Sequence, residues 1–339
     1  MIGIRSIACG ERAPSSFAFK FTALPIYGVI AFAFALALLL QPSRALAADT
    51  PWIVATGAAL HADLAGGELN SLAFSSDGKQ LTIDTDDALF VADAITLKPI
   101  RAPLKMHRDN SGLAVLIAGG QRLIVSTWAN LPDSDKSGNT APRRAGKLQR
   151  VDVGDRRVQD LTNLSREPRW LAAQADGRRI AIAYTDNTVQ VFDADGKSLL
   201  GPTRLVAGKR VAGTNLDAVT AIALSPDGKR LAVSSEEVSI RLFDIASGKP
   251  VLELDHGAFQ GVSWVHGPAK QIVFTPDGAR IVSFEQGNNL ALHDAATGKP
   301  LGGSVQVRSN VAAITPIADG SGLWIATPDG TLQRWLWQK

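Results

Sequence analysis

Apolar and polar positions recur along this chain in one short pattern, repeated six times. The clearest copy reads SPDGKRLAVSS, around Asp227-Gly228. The others are SSDGKQLTIDT at Asp77-Gly78, AGGQRLIVST at Gly119-Gly120, QADGRRIAIAY at Asp176-Gly177, TPDGARIVSFE at Asp277-Gly278 and IADGSGLWIAT at Asp319-Gly320. Each is an apolar run, a turn dipeptide and a second apolar run, which predicts a β-hairpin. Asp-Gly suits a turn that must reach positive φ, which glycine does freely and aspartate tolerates. Successive turns lie 42, 57, 51, 50 and 42 residues apart. A period in the forties with strands throughout predicts a β-propeller.

A second signal sits at a fixed distance inside each copy. DALFVAD ends at Asp93, KLQRVD at Asp152, TDNTVQVFD at Asp193, SIRLFD at Asp244 and NLALHD at Asp294. These segments alternate apolar and polar residues, as a half-buried strand does. Most are followed by another turn, such as Asp195-Gly196-Lys197, Ser247-Gly248-Lys249 or Thr297-Gly298-Lys299. Strand, turn, strand, loop, strand, turn and strand make one four-stranded blade.

On these residues the chain resembles the WD-repeat family. SPDGKRLAVSS with SIRLFDIASGKPV is similar to one blade, and TPDGARIVSFE with NLALHDAATGKPL to another, over residues 52–339. The blades are degenerate. The family's tryptophan is replaced by Ala92, Val151, Phe192, Phe243 and His293, and where Trp335 keeps it the aspartate has become Leu336. The family's Gly-His dipeptide is missing from most blades. The polar tetrad that staples such blades is therefore not expected, and apolar packing must replace it.

The fold class is all-β: a propeller of four-stranded antiparallel blades, six countable, with a seventh as the alternative. The last copy stops after its third strand, at Trp335-Leu336-Trp337. The apolar stretch Trp52-Ile53-Val54-Ala55 is available as the missing outer strand, so residues 52–58 are expected to close the ring.

The front of the chain reads differently. Arg5, Arg12 and Lys20 precede an almost continuous apolar run over residues 21–40, followed by Pro42 and the small-residue site Ala45-Leu46-Ala47. That order is the order of a secretory signal peptide, cleaved after Ala47, which leaves residues 48–339 as the propeller domain. The expected location is periplasmic or secreted. The alternative is an N-terminal membrane anchor, since about 20 apolar residues can span a bilayer. Cys9 precedes the apolar run, whereas a lipoprotein cysteine would follow it.

Charge follows from that cut. The whole chain carries a formal +3, and residues 1–47 hold four basic residues (Arg5, Arg12, Lys20, Arg44) against Glu11, so the remainder is neutral and has no cysteine. No clustered positive field is left for nucleic acid, and stability must come from the core rather than disulfides.

Candidate chemistry is sparse. The histidines are His61, His107, His256, His266 and His293. His293 occupies a core strand position. His256 and His266 stand ten residues apart, which matches no compact zinc spacing, and the Asp-Gly turns lack the alternate acidic positions of a calcium loop. There is no G-x-S-x-G elbow, P-loop or haem-attachment motif. No catalytic residue, cofactor or metal site is assigned.

Where the repeats lengthen, they lengthen on one side. Insertions fall at 127–146, 201–216 and 252–268, in connections after second or fourth strands, which emerge opposite the Asp-Gly turns. Trp128, Arg143, Arg144, Trp170, Arg210 and Trp264 belong to this side and are the candidate partner-binding residues, because tryptophan and arginine dominate binding hot spots and rigid scaffolds carry function on loops. The expected function is a non-enzymatic protein-binding scaffold of the bacterial cell envelope, with a protein partner, no nucleic acid and no membrane insertion after cleavage. WD-repeat propellers mostly assemble proteins, which is what the resemblance implies. The alternative is a propeller enzyme, lactonase-like or quinone-dependent dehydrogenase-like, with a site in the central channel.

Overall fold

The computed structural model describes residues 53–61, 69–74, 79–85, 88–105, 113–130, 144–206, 218–236, 240–254, 268–307 and 310–338. All lie in one compact unit, Thr50–Lys339. They form 24 strands in six four-stranded antiparallel sheets.

Strand β1 (Ile53–His61) comes first in the chain and belongs to the last sheet. Blade 1 is β2 (Leu69–Phe74), β3 (Gln80–Thr85), β4 (Ala88–Asp93) and β5 (Leu104–Lys105). Blade 2 is β6 (Leu113–Ile117), β7 (Arg122–Asn130), β8 (Arg144–Asp152) and β9 (Val158–Leu164). Blade 3 is β10 (Pro168–Ala173), β11 (Arg179–Tyr184), β12 (Val189–Asp193) and β13 (Ser198–Thr203). Blade 4 is β14 (Val219–Leu224), β15 (Arg230–Ser235), β16 (Ile240–Asp244) and β17 (Pro250–Glu253). Blade 5 is β18 (Ala269–Phe274), β19 (Arg280–Glu285), β20 (Asn289–Asp294) and β21 (Val305–Gln306). Blade 6 is β22 (Ala313–Pro316), β23 (Gly322–Ala326) and β24 (Thr331–Trp337), with β1 as its outer strand.

The inner strands lie side by side in the order β2, β6, β10, β14, β18, β22, and β22 meets β2 again. Six blades therefore make the ring. It closes as the sequence indicates: β1 pairs antiparallel with β24, Ile53 opposite Trp337 and Val54 opposite Leu336. The pairing runs on to His61 opposite Thr331, past the expected end at residue 58, and Trp52 lies outside the described residues.

Each of six apolar clusters joins one blade to the next. Blades 3 and 4, for example, share Ala183, Val191, Leu231, Val233 and Phe243. Strand geometry explains why the second strands are so apolar. In β15, Leu231 and Val233 face blade 3 while Ala232 faces blade 5. Side chains alternate across a sheet, and here both faces are covered. So β15 is buried from Leu231 to Ser235, whereas the third strand β16 leaves Arg241 and Asp244 half-buried and departs from strict alternation at the buried Phe243.

The Asp-Gly turns use their two residues differently. Gly177, Gly228, Gly278 and Gly320 all have φ between 68° and 75°, the left-handed region that favours glycine. The aspartates do not share it. Asp227 instead accepts the Ser225 hydroxyl at 2.5 Å and the Lys229 amide at 3.0 Å through Oδ1. Asp277 does the same with Thr275 and Ala279. The expectation that aspartate itself turns left-handed is thus corrected: it organises the turn as a hydrogen-bond acceptor.

The outer turns repeat this device. Asp244 Oδ1 accepts the Ser247 hydroxyl and amide at 2.6 and 2.8 Å, and Asp294 treats Thr297 alike. Hydrogen bonds from Ser247 and Thr297 hold both carboxyls below the usual carboxylate range. In an antiparallel blade these two turn sets emerge on one face, the turn face. The connections after second and fourth strands emerge on the other, the loop face.

Candidate functional site: the central channel and the loop face

The six inner strands surround a channel of about 570 Å³. Every blade contributes side chains, among them Leu72, Leu116, Ala173, Ala223, Val273 and Ile314. At the turn face the channel ends in a collar of exposed Ala175, Pro226, Pro276 and Ala318, one from each of blades 3 to 6.

Three polar side chains of the wall, Gln174, Gln271 and Trp170, are spent between blades. Gln174 Nε2 donates to the carbonyls of Ser225 and Pro226, at 3.2 and 2.8 Å, across the blade 3–4 interface. Gln271 donates to the Ala312 carbonyl and accepts the Ile314 amide at 2.8 Å, across the blade 5–6 interface. Trp170 Nε1 donates to the Val219 carbonyl at 2.8 Å. Ser234 accepts the Ala269 amide at 3.2 Å between blades 4 and 5. In the absence of a Trp-Asp tetrad these bonds tie neighbouring blades together, each to a backbone group of the next blade.

Four inner strands carry one extra residue at the same place, near the loop face. The register of Asn70, Arg169, Thr220 and Lys270 is skipped in the pairing of β2, β10, β14 and β18 with their neighbours. Such bulges re-aim a side chain at the rim of a closed structure. Arg169 and Lys270 are exposed cations. The Lys270 ammonium stands 5.9 Å from the centroid of the Phe284 ring, a cation–π distance.

Among the described residues of the loop face, the hairpin of blade 2 is extended. The β7–β8 hairpin pairs from Arg122–Asp152 to Asn130–Arg144, nine pairs, against five in β11–β12. Four extra pairs carry it roughly 13 Å further at the usual rise per strand residue. Its foot is braced by Lys147 and Gln149, which both bond Asp160 of β9, at 2.5 and 2.7 Å.

The candidate residues are distributed unevenly. Trp128 sits in β7 with 8% exposure, packed with Leu148 and with Ile182 and Tyr184 of blade 3. Its ring covers Gly146, where an added Cβ would lie 2.6 Å from Trp128 Cε3. Trp170 opens β10, partly buried in the blade 3–4 cluster and bonded to blade 4. Arg144 begins β8, at the end of the extended hairpin. Arg143, Arg210 and Trp264 lie outside the described residues. Both described tryptophans serve contacts between blades in this structure.

His293 is 1% exposed in β20, a core residue as its position indicates. His61 ends β1, and His107, His256 and His266 lie outside the described residues. Among the described residues no group of His, Cys, Asp and Glu has the arrangement to hold a metal ion. The sequence reading missed Gln174 and Gln271. Their signal was a glutamine inside an apolar inner strand, in LAAQA and KQIVF, where only a bonded polar group is tolerated.

Six four-stranded antiparallel blades around a channel define the domain as a β-propeller. Residues 203–267, which span blade 4 and the links on either side, match the family model described as the anaphase-promoting complex subunit 4 WD40 domain. The match and the repeated four-stranded sheets are consistent with a propeller of WD-repeat type. No curated protein matches the chain.

Proposed function

We propose that this propeller is a non-enzymatic protein-binding scaffold of the bacterial cell envelope, which receives its partner on the loop face. The observation that carries this reading is the WD40 match over blade 4, since WD40 domains mediate protein–protein interaction. The extended β7–β8 hairpin supports the choice of face, because its ladder runs four pairs further than that of β11–β12. The alkyl character of the channel wall also favours binding over catalysis, since a propeller enzyme gathers its polar ligands there. Export is part of the proposal and rests on the signal-like order that ends in Ala45-Leu46-Ala47.

Affinity capture from envelope extract tests the reading. A defined protein should be retained by the native chain and lost when residues 131–143 are replaced by a two-residue Asn-Gly turn. Substitution of Lys79, Lys229 or Arg280 on the turn face should leave capture unchanged. Equal loss from both faces overturns the choice of surface. Intact mass tests export: a chain starting near Ala48 in the soluble envelope fraction is expected, and all 339 residues in a membrane pellet would overturn it.

A further inference from the structure

We propose that the central channel is a binding site for an anionic amphiphile, an unbranched hydrocarbon chain ended by one carboxylate. Three observations converge, and none depends on the protein-binding reading. The first is the wall. Its volume, about 570 Å³, lies in the range that small-molecule sites take, and inner strands of six residues such as β14 and β18 give it a length of roughly 20 Å. Both dimensions suit a chain-like ligand.

The second observation is what the wall leaves unused. Gln174, Gln271 and Trp170 already bond backbone groups of the next blade. Apart from the Thr315 hydroxyl and the Lys270 ammonium, the side chains left to meet an occupant are apolar, and they gain by excluding water. A hydrocarbon chain asks for nothing more. A peptide in the same place would bring one donor and one acceptor per residue, more than one hydroxyl and one ammonium can match.

The third is the charge at one end. Among the described residues lining the channel Lys270 alone is charged. Its ammonium contacts the Phe284 ring but has no ion pair among the described residues. Arg169, at the matching bulge two blades away, is a second exposed cation near the loop face, outside the channel lining. At the opposite end the described lining is the collar of Ala175, Pro226, Pro276 and Ala318, and the exposed Asp176, Asp227, Asp277 and Asp319 follow it directly in the chain. The channel is therefore polarised, cationic towards the loop face and apolar towards the turn face, which orients a carboxylate at the first and a methyl end at the second.

The test is calorimetric titration of the full chain with dodecanoate below its micellar concentration, beside dodecanol as the neutral control. Saturable binding of one dodecanoate is expected. Lys270→Gln, an exposed position, should weaken dodecanoate about fivefold, the worth of one partly exposed charge pair, and leave dodecanol unchanged. Thr315→Trp, which fills the channel from blade 6, should abolish both; a circular-dichroism melt establishes that this variant is folded. If it is not, the Lys270→Gln comparison decides alone. Absence of dodecanoate binding to the unsubstituted chain overturns the proposal. So does binding that neither substitution alters, which would reside elsewhere on the chain, including its apolar residues 21–40.

Discussion

Ile53 and Trp337 face each other across the outer pair of blade 6, and this pairing closes the ring. Ile53 is fully buried, in one cluster with Phe284, Leu292 and Trp335. The first described residue of the domain is thus core, shared between blades 5 and 6. Ile53→Ala should cost about 2–4 kcal/mol, transfer free energy plus cavity, and should lower one cooperative thermal transition rather than add an early one. A separate low-temperature step for blade 6 would mean that the closing pair is independent of the ring.

Trp170 offers a way to separate a staple from a binding contact. Trp170→Phe keeps an aromatic ring and removes the hydrogen bond to the Val219 carbonyl. A loss of about 1 kcal/mol in chemical denaturation is expected, with partner capture unchanged. Lost capture at native stability would instead place Trp170 in the binding surface.

Gly146 and Trp128 form a second linked pair. A Cβ at position 146 would lie 2.3 Å from the Thr127 carbonyl and 2.6 Å from the Trp128 ring. Gly146→Ala should therefore destabilise by about 1–3 kcal/mol through overpacking, and Trp128→Phe in the same chain should recover part of the loss, because the smaller ring makes room. Denaturant midpoints of the two variants check it. An additive pair of losses would show that the ring and the glycine do not press on each other.

The turn-face aspartates predict the acid response. In Asp277 the Thr275 hydroxyl bond, and then the Ala279 amide, lower the folded pKa; in Asp294 the Thr297 hydroxyl and then its amide do so. A group with a depressed folded pKa contributes stability above its unfolded pKa and loses it as pH falls through the folded value. Stability should thus decline below the ordinary carboxylate range, and Asp277→Asn should reduce the slope of that decline. Melting temperature against pH from 6 down to about 2.5 checks both. A slope unchanged in the variant would remove Asp277 from the account.

Much of this fold was legible in the sequence, for a physical reason. A blade cannot bury its faces alone, so its pattern must repeat, and six Asp-Gly-type turns with strand-ending aspartates gave the blade count and the missing outer strand. The role of each aspartate was less legible, because the dipeptide looks the same whether aspartate bends the chain or accepts its hydrogen bonds; Asp227 does the second. The site was the least legible part. Trp128 lies beside an insertion in sequence, yet the strand carries on through it and period-two geometry turns its ring inwards. Gln174 and Gln271 are single polar letters whose partners are backbone groups on the next blade, about fifty and forty positions on, and no local pattern reveals them.

The closing strand has a consequence for how the protein comes to exist. Its partner, β24, is made last of the described strands, so β1 waits through the synthesis of all the others. Until then β1 has no strand to pair with, and its own edge stays open. Contacts so distant in sequence fold slowly, and an unpaired strand edge invites pairing with another molecule. Crowded nascent chains would thus be exposed to one particular error, donation of β1 to a neighbour's β24, which yields linked dimers with every blade intact.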